Sequence, residues 1–275
     1  MSFVLTSAIA KQRGLDLGLR IDDMDSDRTR TEYVKDIFDS LSWLNINCIE
    51  GPKDEYELAE HWSQYHRIHR YDLLIQQLYV QGHLYACRCT RKQIAERGGL
   101  GLHECRNNTI DPNELDVSWR IRLPDICRIQ ISDEIQGKRI VDLNSIMPDF
   151  IIRRRDGIPS YQIASLADDL HDGAGLIIRG EDLLESTAAQ LYLSQVLDRP
   201  NFTDTVFIHH PLMKSDDGKK LSKSDGADAL KVIREDGISS EVVFSIIAKR
   251  LGITVRVFDL ESFADAFDPQ LHLRG

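Results

Sequence analysis

No apolar run in this chain approaches the roughly 20 residues that a membrane-spanning helix requires. The opening Met1-Ser2-Phe3-Val4-Leu5 lacks the charged start and small-residue cleavage site of a secretory leader, so none is expected. Cysteine is scarce. Five cysteines occur among 275 residues, three of them clustered, which argues for a reduced compartment and a metal rather than a disulfide frame. A cytoplasmic protein is expected. An excess of basic charge is also missing. Lys and Arg number 34 against 44 Asp and Glu, a net charge of −10. That balance excludes a non-specific nucleic-acid coat. It leaves room for a nucleic-acid enzyme with a local basic channel, because the field that matters is local. No repeats or low-complexity segments are visible. With 42% hydrophobic and 28% charged residues, the composition is that of a globular protein able to bury a real core.

The pattern along the chain alternates between helix and strand. Residues 3–12 carry an apolar helical pattern ending near Gly14. Residues 15–21 read as a buried strand that runs into Asp22-Asp23-Met24-Asp25. Such a carboxylate cluster would sit at a strand's C-terminal end, where open α/β sheets bind ligands. A helix is predicted over 31–44, with Ile37, Phe38, Leu41 and Leu44 on one stripe, and another over 62–81. From 84 to about 158 the texture changes to short β-like runs at 84–87, 117–123, 126–131 and 139–143, separated by Asn, Asp, Pro and Gly. Residues 150–153 and 160–166 flank a turn at Asp156-Gly157. Strands are predicted at 175–178 and 205–208, with a helix over 183–197 between them. Two helical patterns, 227–234 and 239–251, follow, and the tail from Thr254 carries no strong signature.

The densest chemical signal is Gly218-Lys219-Lys220-Leu221-Ser222-Lys223-Ser224. Ammonium groups on mobile stems suit phosphate, and serine hydroxyls can hydrogen-bond phosphate oxygens. The loop could hold a triphosphate and neutralise departing pyrophosphate. A solvated basic turn is the competing reading. The segment also resembles the K-M-S-K-S signature of class I aminoacyl-tRNA synthetases, with Leu221 at the Met position.

Other segments agree with it. Leu19-Arg20-Ile21-Asp22-Asp23-Met24-Asp25, Ser160-Tyr161-Gln162, Ile178-Arg179-Gly180-Glu181-Asp182 and Lys220-Leu221-Ser222-Lys223-Ser224 follow one another in the order of the glutamyl-tRNA synthetase family. The chain resembles that family from Ser2 to about Leu251. It is most similar to the short glutamyl-queuosine tRNA(Asp) synthetase type, through Arg179 to Thr187 and Asp149 to Tyr161.

The resemblance implies an α/β fold: a Rossmann-type parallel sheet interrupted by a β-rich insertion. The expected division is 1–83 and 159–275 for the catalytic domain and 84–158 for an inserted module that contacts the RNA acceptor. It also implies ATP-dependent activation of glutamate and transfer to tRNA, with Mg²⁺ accompanying ATP. Lys223 is the expected transition-state cation and Lys220 the second, with Leu221, Ser222 and Ser224 shaping the ATP loop. Asp22 would hold the glutamate ammonium, where the family usually has Glu. Arg179 would grip the side-chain carboxylate, with the Tyr161 hydroxyl as a second donor. Each has a plainer alternative: Asp22 capping its turn, Tyr161 as a core tyrosine, Arg179 in an ion pair with Glu181 or Asp182. The paired acids Asp168-Asp169 are expected to be structural or to hydrogen-bond on the substrate side.

The resemblance further implies a zinc site built on Cys87-Arg88-Cys89 and Cys105, with Gly101 where that enzyme type has a tyrosine. His103 is the candidate fourth ligand, since thiolates and imidazole suit tetrahedral Zn²⁺. Three buried small thiols are the alternative. Cys48 and Cys127 show no partner pattern and are expected in the core. No His-x-Gly-His or His-x-Gly-Asn occurs near the start, where the family carries its H-I-G-H segment. Adenylation by these 275 residues alone is therefore expected to be impaired. A non-catalytic paralogue that binds glutamate, ATP and tRNA is the alternative.

Overall fold

A computed structural model describes residues 1–25, 29–96, 104–107, 110–111, 114, 116–212 and 230–274. The lysine loop with Lys220, Leu221, Ser222, Lys223 and Ser224 lies outside them, as does His103. The chain divides into two units: Met1–His66, Ile178–Glu181 and His209–Gly275 form one, and Arg67–Ile177 with Asp182–Ile208 the other.

In the first unit the helix Ser2–Arg13 forms over the predicted apolar pattern and ends at Gly14, whose φ of 61° supplies a left-handed cap. Its buried face, Val4, Leu5, Ala8 and Ile9, packs against the helix Leu260–Ala266. Gln12 Nε2 donates to the carbonyls of Ala264 and Phe267, both at 2.6 Å. Phe244, Phe263 and Phe267 fill the space beside them, with ring centroids 6.3 and 5.4 Å apart in sequence. The tail thus holds a helix that periodicity did not signal. Its start is a capping box: Asp259 Oδ1 accepts from Ser262 N at 2.8 Å, and Ser262 Oγ accepts from Asp259 N at 3.1 Å. The usual sequence cue is Glu or Gln at that third position. Serine does the same work with a shorter reach.

Two expectations from the sequence are corrected. Residues 15–21 form no strand; they make one parallel bridge, Gly18 to Glu50, held by Leu19 N to Glu50 O at 2.9 Å and Ile49 N to Leu17 O at 2.8 Å. Leu19 and Ile21 do alternate inward, but two backbone bonds to so short a partner do not make a ladder. The helix predicted over 62–81 begins only at Ile68 and runs to Val80, after a 3₁₀ turn over Gln64–Arg67. Asp23 takes the N–H of Gln64 and Ser63 Oγ takes that of Tyr65, so side chains compete with the helical ladder there.

The second unit is built on an antiparallel sheet of β1 (Leu84–Cys87), β2 (Ser118–Ile121) and β5 (Ile151–Arg153), in the order β1-β2-β5. Leu84, Ala86, Trp119, Ile121 and Ile152 enter the main core. Tyr85 and Cys87 alternate to the other face, where they meet Cys105. A second sheet orders β4 (Gly137–Asp142), β3 (Arg128–Asp133), β7 (Val206–His210) and β6 (Leu176–Gly180). β3 and β4 form an antiparallel hairpin, and β3 pairs parallel to β7 at Asp133 and Phe207. The helix Leu184–Val196 is buried from Ser186 to Ser194 and contributes Ala188, Ala189, Leu191 and Leu193 to the core. The fold is mixed α/β, as expected, and its strands fall on the predicted runs.

Gly51 has a φ of 106°, and a Cβ there would lie 2.2 Å from the Leu19 carbonyl oxygen. Gly51→Ala is expected to destabilise the protein by on the order of 3 kcal/mol, from backbone strain plus the clash. Urea unfolding checks this as a lower midpoint at unchanged m-value.

Candidate functional site

Asp22 and Arg179 belong to the first unit and Tyr161 to the second. Asp22 follows the bridged segment with its carboxylate 41% exposed, and its Oδ1 accepts from Arg20 Nε at 3.0 Å and Gln64 Nε2 at 3.2 Å. The neighbouring Asp23 instead accepts the Gln64 backbone N–H at 2.8 Å. The adjacent acids therefore divide their work: Asp23 secures the turn and Asp22 presents a carboxylate at the surface. Gln64, which touches both, had no signal in the sequence. Arg179 lies on β6 and is buried.

Tyr161 is half-buried and opens the helix Tyr161–Asp172. Ser160 is the N-cap and makes no side-chain cap bond, so the dipole of a twelve-residue helix makes the surroundings of Tyr161 electropositive. Two turns further along the helix, Asp168 is fully buried. Both its oxygens accept from the Tyr71 hydroxyl, at 2.9 and 3.0 Å, and Arg67 Nη1 is 3.3 Å away. Of the two roles open to this acid, the structure supports the structural one: Asp168 ties its helix to the helix Ile68–Val80. Ser165 Oγ donates to Asp169 at 3.4 Å.

Three of the cysteines come together. Cys87 ends β1, Cys89 follows two residues later, and Cys105 sits in the short turn Glu104–Asn107. Their three Sγ atoms lie within 4.8 Å of one another, and Cys89 and Cys105 are 3.5 Å apart. A disulfide needs about 2.05 Å. Thiolates around tetrahedral zinc, each about 2.3 Å from the ion, stand roughly 3.8 Å from one another. The spacing fits three corners of such a site. The Cys89 N–H also donates to Cys87 Sγ at 3.4 Å. Burial, and then a hydrogen bond with Cys105, pushes the Cys89 thiol up to about 12. Burial opposes ionisation of Cys105 too, but hydrogen bonds from the Arg88 backbone and from the Cys89 and Cys87 thiols bring it below the ordinary value. Cys127 is a core residue apart from the cluster, its thiol pushed up to about 11 by burial and then by Asp142.

Beside the cluster lies a buried carboxylate that sequence reasoning missed. Asp149 is 2% exposed. Its oxygens accept from the Tyr85 hydroxyl at 2.9 Å, from Arg106 Nη1 at 2.9 Å and from Leu123 N at 3.0 Å. Burial, then the charge of Asp149, holds the Tyr85 phenol far above its usual range.

The family model for the catalytic domain of class I tRNA synthetases (E and Q) matches residues 2–268. The chain belongs to that family. A glutamate–tRNA ligase of Legionella pneumophila (strain Corby) is 32% identical over 269 residues, covering 94% of this chain and 54% of the relative. A glutamyl-Q tRNA(Asp) synthetase of Ralstonia nicotianae is 32% identical over 266 residues, covering 91% of this chain and 78% of the relative. The chain thus spans about half the length of the ligase it matches. In fold it is similar to the crystal structure of a glutamate tRNA ligase from Elizabethkingia meningosepticum in complex with its amino acid. The TM-score is 0.76 at 23% identity, over 100% of this chain and 62% of the other.

Replacing Cys87 or Cys105 with Ser is expected to weaken Zn²⁺ binding at least tenfold, and Cys127→Ser to leave it unchanged, in competition with a chromophoric chelator. Each ligating thiol must lose its proton, so affinity should fall as pH is lowered from 8 to about 6.

Proposed function

We propose that this chain is the catalytic part of a ligase that activates glutamate with ATP and passes the glutamyl group to tRNA. The observation that carries the reading is the family match over residues 2–268. In the first step a glutamate carboxylate oxygen attacks the α-phosphorus of ATP, and the bond to pyrophosphate breaks. In the second, an RNA hydroxyl attacks the acyl carbon of the adenylate and AMP leaves. Displacement at phosphorus needs alignment and charge neutralisation more than covalent help. Lys223 and Lys220 supply the neutralising charge, and Leu221, Ser222 and Ser224 shape the loop that carries them. Mg²⁺ enters with ATP, held chiefly through substrate phosphates. Asp22 pairs with the glutamate ammonium, Arg179 grips the side-chain carboxylate, and the Tyr161 hydroxyl gives a second hydrogen bond.

The segment 84–158 is the part that meets the RNA acceptor, with Cys87, Cys89 and Cys105 holding zinc as a structural clamp. His103 completes the proposed ligand set. Zinc there supplies folding energy rather than a reacting group. Reading the end or a loop of tRNA fits a protein with a net charge of −10, because unstacked bases need only local basic contacts. No helix among the described residues is long and apolar enough to cross a membrane.

The 275 residues contain no His-x-Gly-His or His-x-Gly-Asn, and we expect pyrophosphate exchange by this chain alone to be slow. Binding is therefore the first measurement. Calorimetric titration should show glutamate binding in preference to glutamine and aspartate. Arg179→Ala should weaken it by about 1.5–3 kcal/mol, as loss of a charged hydrogen-bond donor does. Absence of selective glutamate binding by the wild-type chain would sink the assignment. Transfer of labelled glutamate to tRNA(Glu) against queuosine-containing tRNA(Asp) then identifies the acceptor. Glutamate binding without exchange or transfer in an N-terminally extended chain as well would instead identify a non-catalytic paralogue.

A further inference from the structure

Both ends of the cysteine cluster are tethered to one side chain. Tyr85 precedes Cys87 by two residues on β1, so the two share a face of the strand. Arg106 directly follows Cys105 in the turn Glu104–Asn107. Asp149 receives both: the Tyr85 hydroxyl at 2.9 Å and Arg106 Nη1 at 2.9 Å from each carboxylate oxygen. A third bond comes from the Leu123 N–H at 3.0 Å, and Arg120 Nη1 donates to the Asp149 carbonyl at 2.8 Å. Arg106 Nη2 also donates to the Leu123 carbonyl. None of these bonds runs to sulfur. Asp149 adopts a φ of 39°, in the left-handed region that Asp and Asn tolerate better than most residues.

We propose that Asp149 is a positioning residue for the metal site, setting the separation of Cys87 and Cys105 through Tyr85 and Arg106. The inference rests on the reading that the three thiols hold zinc. The chemistry favours it for two reasons. A buried carboxylate that is 2% exposed must be matched by donors, and here the donors sit within two residues of two ligands in sequence. The turn carrying Cys105 is short, and Arg106 gives it a charged hydrogen-bonded anchor on the segment that enters β5, outside the three thiols. Groups that orient ligands from outside the coordination sphere are commonly worth 10–100-fold in metal affinity.

The test uses the full 275-residue chain and three substitutions. Asp149→Asn keeps the shape and the backbone conformation but removes the charge facing Arg106. Tyr85→Phe removes one hydrogen bond and little else. Ile163→Val is a core variant in the same unit, away from the cluster. Zn²⁺ affinity is read by chelator competition, and Co²⁺ replaces zinc to report ligand geometry through its thiolate charge-transfer and d–d bands. Asp149→Asn should weaken Zn²⁺ about 10–100-fold and alter the cobalt bands. Tyr85→Phe should act in the same direction by a smaller factor, and Ile163→Val should leave both readouts at wild-type values. Wild-type affinity and spectra in both Asp149→Asn and Tyr85→Phe would overturn the proposal. So would losses no larger than those of Ile163→Val once the variants are compared at equal melting-temperature shift. If Asp149→Asn does not fold, Tyr85→Phe decides by the same criteria. A wild-type chain that binds no Zn²⁺ removes the underlying metal reading instead, an outcome seen before any variant is made.

Discussion

The pairing of Asp149 with Arg106 and Tyr85 is the constraint on which the cysteine-bearing face of the second unit depends. An ionised carboxylate that has left water must recover its solvation from fixed donors. Asp149 recovers it from a β1 tyrosine, an arginine in the cysteine turn and the backbone of Leu123. These donors stand 64, 43 and 26 residues away along the chain. Closing those loops brings β1, the Glu104–Asn107 turn and the chain entering β5 into one place. The thiol cluster follows, because Cys87 and Cys105 are carried by the segments that supply two of the donors. Breaking a buried pair of this kind, by removing one partner, costs about 3–5 kcal/mol.

The same economy governs the other buried charges. Asp168 is fully buried and is answered by Tyr71 and Arg67, which joins the helix Tyr161–Asp172 to the helix Ile68–Val80. That join fixes the axis of the helix whose first residue is Tyr161. Tyr161 and the structural aspartate thus share one helix. In the first unit, Asp22 and Asp23 are adjacent in sequence but differ in use, because Gln64 offers a backbone N–H to one and a side-chain amide to the other. Asp22, the more exposed of the two, keeps its carboxylate at the surface.

How much was legible is best judged from particular residues. The apolar periodicity of the helices starting at Ser2, Thr31, Leu184 and Glu241 was visible, as were the short runs that became β1 to β7. Each reflects a local pattern whose period survives folding. The spacing of Cys87, Cys89 and Cys105 was enough to suggest a cluster, and the four motifs in order were enough to suggest the family. The segment 15–21 misled because alternation alone says nothing about whether a partner strand is long enough to pair. The helix at Leu260 was missed because its cap uses Ser262 in place of the usual longer side chain. The late start of the helix at Ile68 was missed because the competing acceptor, Asp23, lies 41 residues upstream.

From its residues alone, this protein declares alternating helix and strand patterns, three clustered cysteines, and four motifs in an order that resembles the glutamyl-tRNA synthetase family. Those are statements about composition, period and order, which need no knowledge of what lies across the fold. Only the tertiary structure decided that Asp168 is a strut, that Asp23 rather than Asp22 secures the turn, and that Asp149 underlies the cysteine cluster. Each of those outcomes depends on which donor reaches a carboxylate from tens of residues away, and no local pattern encodes that distance.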